Sequence, residues 1–166
     1  MSDLAKDIMH WLEHSAAQRR SSKQLAYYDQ LWQDLILEIQ RIEGCEAPMD
    51  YEADFARMVQ YSGPLYRVHR KFEHEYPYGV VESSSFVSWT KQKDFVDYSW
   101  IEKGKELLLI EGQAEFPEIG VDLVGIKEWA NKYEHPLSFE QCKAEQEVVF
   151  PLKLEHIVRM EIKLIA

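Results

Sequence analysis

The chain has 166 residues and a formal net charge of −10, a length that suits one domain and a charge that excludes a general grip on nucleic-acid backbone, which needs a basic face. Hydrophobic residues make up 46% and aromatics 13%, with only 7 Gly and 6 Pro, so the composition excludes disorder and allows a sizeable core. No apolar run approaches the roughly 20 residues that a membrane span needs.

In chain order, Leu4, Ile8 and Leu12 recur at i, i+4 and i+8 and predict a helix ending near Ser15. A longer helix is predicted from about Ser22, where Leu25, Tyr28, Leu31, Leu35, Ile39 and Ile42 recur every three or four residues and Gly44 suits the C-terminal cap. Asp50 is placed to cap a short third helix carrying Phe55, Met58 and Val59, which Ser62-Gly63-Pro64 stops. Beyond Pro64 the period changes to two. Leu65-Tyr66-Arg67-Val68-His69 and Phe86-Val87-Ser88-Trp89-Thr90 read as strands, and Leu107-Leu108-Leu109-Ile110 as a strand covered on both faces. Gly120 to Leu123 and Glu147 to Phe150 predict two more, with a helix between them at about Gly125 to Lys132. The alternating tail, Ile157 to Leu164, closes the chain. Helices first and strands after predict an α+β fold, one domain over 1–166 with a helical part, 1–62, and a β-rich core, 63–166. Its core should contain Leu65, Val87, Leu108, Ile110, Leu123, Val148 and Phe150.

The N-terminus carries Asp3 where a secretory leader needs positive charge. Cys45 and Cys142 stand far apart and form no Cys-x-x-Cys pair, so two thiols in a reducing cytoplasm is the plainer reading, with a single disulfide the alternative. The six histidines, at 10, 14, 69, 74, 135 and 156, show no metal-ligand spacing with the cysteines. No phosphate loop or nucleophile elbow is present. No metal is expected.

Three stretches bear chemistry. Arg67 interrupts the first apolar strand, and a guanidinium on a rigid strand suits a phosphate or carboxylate, although an edge ion pair would serve as well. Ser88 and Thr90 share one side of the second strand while Trp89 takes the other. Glu145 and Glu147, spaced by one residue, run directly into Val148-Val149-Phe150-Pro151. Two carboxylates aimed at one place repel each other, unless something cationic is meant to sit between them.

Arg on a first strand, Ser-x-Thr on a second and Glu-x-Glu entering a later apolar strand closed by Pro together resemble the ADP-ribosyltransferase family. The closer likeness is to its Arg-Ser-Glu branch of clostridial binary toxins, cholera toxin and arginine-specific vertebrate enzymes. The motifs span Leu65 to Pro151, about half the chain, and the middle one reads Ser88-Trp89-Thr90 where the family has Ser-Thr-Ser. The resemblance implies a core of two β-sheets at a steep angle, with an NAD cleft between them. It implies an enzyme that cleaves NAD and transfers ADP-ribose. In this reading Arg67 holds the NAD pyrophosphate or neighbouring ribose, and Ser88 supports the NAD site and orients the acid. Thr90 braces the strand, Glu147 is the catalytic glutamate and Glu145 faces the acceptor. Phe95, or else Tyr98, would stack on nicotinamide. His69, two residues after Arg67, reads as a structural histidine.

Glutamate at the first acid position goes with arginine as acceptor in relatives, so the resemblance implies transfer to a protein arginine by a bacterial or phage toxin or host-modifying enzyme, one that a neutralising partner protein could restrain. Two alternatives stay open. RNA or DNA would serve as acceptor if Arg19, Arg20 and Lys23, or Lys91 and Lys93, formed a basic groove leading to Glu147. A catalytically inactive binding module would have one of Arg67, Ser88 and Glu147 turned away from the cleft.

Overall fold

A computed structural model describes residues 22–70, 83–93, 103–134 and 146–164. Helix α1, Ser22–Glu43, buries Tyr28, Trp32, Leu35, Ile39 and Ile42, one stripe at three- and four-residue spacing. Helix α2 spans Asp50–Val59. Met49, not Asp50, is its N-cap, and the Glu52 carboxylate three residues on accepts the Met49 N–H at 3.3 Å. Asp50 is instead the first helical residue, where its charge still suits the positive end of the helix.

Seven strands follow: β1 Gln60–Tyr61, β2 Gly63–Arg70, β3 Ser83–Thr90, β4 Glu106–Ala114, β5 Gly120–Asp122, β6 Glu147–Leu152 and β7 Ile157–Leu164. Helix α3, Leu123–Lys132, starts directly from β5 because the Asp122 carboxylate accepts Val124 N–H at 3.0 Å and Gly125 N–H at 3.2 Å. Leu123, expected to end a strand, therefore begins a helix. Strand β1 was not anticipated. Two residues are too few to show a period, and it exists only because Gln60 and Tyr61 pair with Val121 and Gly120.

The fold is α+β. Its strands run antiparallel in the order β1-β5-β6-β3-β2-β4-β7. Strands β2 and β4 pair along their whole shared length, from Gly63–Ala114 to Arg70–Leu107, and β3 pairs with β6 from Ser83–Leu152 to Thr90–Glu147. Between these halves the recorded pairing of β2 with β3 is Tyr66 opposite Thr90 alone. The expected pair of sheets is thus one hydrogen-bonded order whose halves meet at one point and diverge from it.

Two faces of the sheet carry separate cores. On one, Phe86, Val121 and Val149 join α1, α2 and α3 in a cluster centred on Trp32, Ile39, Leu123, Ile126 and Trp129. On the other, Leu65, Trp89, Leu108, Ile110, Val148 and Phe150 pack together. Leu107 and Leu109 face away from Leu108 and Ile110, so this strand is covered on both sides as its sequence predicts. Of the expected core, Val87 alone is only half-buried; the other six are buried. Pro151 is accommodated because β5 reaches only Val148 and Val149 of β6, leaving that flank open at the proline.

Helices α2 and α3 approach closely at Gly125, where a Cβ would stand 1.8 Å from the Met58 carbonyl oxygen. Nearby, Asp54 of α2 accepts from Lys132, from the Tyr133 hydroxyl at 2.6 Å and from Arg57 at 3.0 Å. Lys132 first, then Tyr133 and Arg57, hold the Asp54 carboxyl well below the usual carboxylate range. A carboxyl depressed by folding adds stability that is complete above its unfolded value of about 4, and that is lost as pH falls through the folded one. The melting temperature should therefore decline with acidification below about pH 4, and Asp54→Asn should flatten that decline. A pH series of thermal melts, wild type against variant, tests this; identical slopes would refute it.

Candidate functional site

Strands β6, β3 and β2, which carry the three sequence motifs, lie side by side although Arg67 and Glu147 are far apart in the chain. Thr90 pairs with Glu147 and also with Tyr66, and Ser88 pairs with Val149. Partners across an antiparallel ladder share a face, and so do residues two apart on a strand. Ser88, Thr90 and Glu147 therefore share one face, with Tyr66 beside them. Glu147 is 3% exposed and Thr90 8%. A carboxylate buried so deeply costs stability that a β-branched residue at the same strand position would not. Such a cost is typical of functional sites.

Arg67 follows Tyr66, so alternation sets its Cα–Cβ bond towards the face of Leu65, opposite to the Ser88 and Glu147 side chains. Its guanidinium nonetheless enters the divergence between β2 and β3, where Nη1 donates to the Ser88 carbonyl oxygen at 2.5 Å. A charged donor on a neutral carbonyl is among the stronger hydrogen bonds, and this one bridges the two halves of the sheet where the ladder between them is thinnest. The arginine and the serine are in direct contact. Their side chains start from opposite faces.

The start of β6 is tied down from two sides. Gln146, immediately before the acid, adopts φ 50, a left-handed conformation uncommon outside glycine and asparagine. Its carbonyl accepts the Lys91 N–H at 3.1 Å, one residue beyond Thr90. The Lys91 ammonium reaches Asp122 at 2.7 Å, the residue that caps α3, and lies 5.8 Å from the centroid of the Tyr61 ring. The Tyr61 hydroxyl donates to the Pro64 carbonyl at 2.8 Å; burial first, and then the charge of Asp122, raise this phenol above its ordinary value. On the opposite flank, Asp29 of α1 accepts the Phe86 N–H at 3.0 Å, anchoring β3 where its register with β6 shifts.

Asp122 and Lys91 were legible in part. Asp122 stands just ahead of an apolar helical run, the ordinary signature of an N-cap, and Lys91 belongs to the basic path that a nucleic-acid acceptor would need. The structure commits the Lys91 ammonium to Asp122. Lys23 and Lys93 are exposed. Glu145, Phe95, Tyr98, Arg19, Arg20, His10, His14 and Cys142 lie outside the described residues, as does the side chain of His69, whose backbone is part of β2. Cys45 is exposed and free.

Among the described residues, Glu118, Glu155 and His156 bring ligand atoms within 4.8 Å of one another, a grouping that no sequence spacing announces. The Lys153 ammonium stands 3.4 Å from Glu118 and 3.9 Å from Glu155. A cation of the protein's own thus already serves both carboxylates, and the group reads as a surface ion cluster. No helix among the described residues is long and apolar enough to cross a membrane.

No protein-family model, curated protein or solved structure matches this chain.

Proposed function

We propose that the protein is a mono-ADP-ribosyltransferase that cleaves NAD at the nicotinamide glycosidic bond and transfers ADP-ribose to an acceptor, most favourably a protein arginine. One observation carries this reading. The arginine, serine and glutamate motifs, separated widely in sequence, meet on three adjacent strands, with a buried Glu147 across the ladder from Thr90 and the Arg67 guanidinium reaching the Ser88 backbone carbonyl although its side chain starts from the opposite face. The divergence of the sheet at Tyr66–Thr90 supports a cleft between its halves at that point.

In this mechanism Arg67 binds the NAD pyrophosphate or the adjoining ribose, exchanging part of its bond to the Ser88 carbonyl for phosphate oxygens. Ser88 positions the acid. The bond between the ribose anomeric carbon and the nicotinamide nitrogen breaks, and its electron pair leaves with neutral nicotinamide. Positive charge develops on the ribose, where the Glu147 carboxylate stabilises it electrostatically. A guanidine nitrogen of the acceptor then bonds to the anomeric carbon and gives up a proton, which Glu145 takes. Repulsion between the two acids is relieved when the cationic sugar and the arginine arrive. Thr90 fixes the register of β3 on β6, and Phe95 stacks on nicotinamide.

The two acids separate by experiment. Glu145→Gln should retain slow nicotinamide release to water but lose about 10²–10⁴-fold in transfer to a protein arginine, the usual yield of a general base. Assay of both products, free nicotinamide and labelled protein, checks the split. Undiminished arginine transfer by the variant would remove Glu145 from the mechanism. Label from adenylate-labelled NAD that is released by nuclease and resists protease would instead assign a nucleic-acid acceptor.

A further inference from the structure

Pairing across the sheet sets four residues in one lateral row. Glu147 of β6 stands opposite Thr90 of β3, Thr90 opposite Tyr66 of β2, and Tyr66 opposite Glu111 of β4. The three ladders are antiparallel and regular at these pairs, so the four residues share a face. Neighbouring strands lie ~4.8 Å apart, which makes the row about 14 Å long. Along β4 this face opens at the row: Leu107 and Leu109 are buried, whereas Glu111 is half-buried. Tyr66 is half-buried too, packed against Leu107 and Leu109. Among the described residues no hydrogen bond or ion pair holds the Glu111 carboxylate. Arg159, opposite it on β7, lies 3.7 Å from Glu161 instead.

The other flank of β6 is closed. Strand β5 pairs with it there, and Val121, Asp122 and Leu123 are buried where α3 begins. A molecule whose reacting sugar sits at Glu147 therefore extends across β3 towards β2 and β4, the direction in which the Arg67 guanidinium also lies.

We propose that Tyr66 and Glu111 form the adenine subsite of the NAD site. The Tyr66 ring stacks on the base, and the Glu111 carboxylate accepts from its exocyclic amino group, the donor that adenine carries. The assignment rests on the proposed NAD chemistry. The order of groups along the row matches the order along the dinucleotide: an acid for the nicotinamide ribose, a guanidinium for the pyrophosphate, an aromatic ring for the base and an acceptor for its amine.

Calorimetric titration with ADP-ribose, and with a counterpart whose purine lacks the amino group, tests the subsite without relying on catalysis. Circular dichroism checks folding, and nicotinamide release from NAD is followed in parallel with cell extract present. Wild type should bind ADP-ribose at least about tenfold more tightly than the counterpart, since a hydrogen bond to a charged acceptor is lost. Glu111→Leu, close in size and without an acceptor, should erase that preference. Tyr66→Ala should weaken both ligands roughly tenfold or more, and Tyr66→Phe should not. A preference that survives Glu111→Leu, or a folded Tyr66→Ala that binds like wild type, would overturn the subsite even if wild type cleaves NAD. The predicted preferences without nicotinamide release would uphold the subsite and overturn the transferase reading. No binding of ADP-ribose by wild type would overturn both.

Discussion

Glu147→Gln is expected to lower nicotinamide release from NAD by roughly a thousandfold, since a carboxylate about 4 Å from the developing ribose cation at an effective dielectric near 20 contributes about 4 kcal/mol, and each ~1.36 kcal/mol is tenfold in rate. The substitution keeps the shape of the side chain and removes only its charge. Glu147 is buried in a strand that is paired on both flanks, so the amide is held where the carboxylate stood. Binding of NAD should change little, because in the proposed mechanism Arg67 supplies the attraction for the phosphates and the cationic sugar exists only on the way to the transition state. The loss belongs to kcat rather than KM. Steady-state kinetics with the folded variant check this. A variant within tenfold of wild type would show that the buried carboxylate has another purpose.

Trp89→Ala is expected to cost about 3–5 kcal/mol of stability, the usual penalty for emptying a buried aromatic site, and to lower the melting temperature on the order of 10 °C for a domain of this size. Trp89 is 2% exposed, meets the Phe150 ring edge-on with centroids 6.5 Å apart, and donates its indole N–H to the Phe150 carbonyl at 3.0 Å. Its ring also covers Gly112 of β4, where a Cβ would lie 3.1 Å from it. The side chain therefore joins β3, β6 and β4 beneath the face that carries Ser88 and Glu147. Because it points away from that face, KM for NAD should hold at temperatures below the variant's melt. Loss of NAD affinity in a variant that remains folded would place Trp89 in the site instead.

This pair of residues also shows what the sequence discloses. The alternation in Phe86-Val87-Ser88-Trp89-Thr90 assigns Ser88 and Thr90 to one side and Trp89 to the other before any neighbour is known, and the structure keeps that division. The same is true of Leu107 to Ile110, whose continuous apolar run announces two covered faces. Strand order is a different matter. That β3 lies between β6 and β2 depends on pairings far apart in the chain, which no local period records. Arg67 illustrates the consequence. The family resemblance makes it one of three converging groups, yet its face relative to Ser88 becomes defined only through the Tyr66–Thr90 pair. The ties of Lys91 to Gln146 and Asp122 escape sequence reading for the same reason. Composition describes a lysine near a site; only the fold makes it part of the support for the acid.

The most direct test of the account is to incubate the wild-type protein with NAD labelled in the adenylate, with and without cell extract, and to follow nicotinamide release, transferred label and NAD binding together. The account predicts nicotinamide release coupled to protease-sensitive label, both abolished by Glu147→Gln. Neither release nor transfer, together with no binding of NAD, would contradict it, leaving a protein whose three motifs meet on adjacent strands without doing this chemistry.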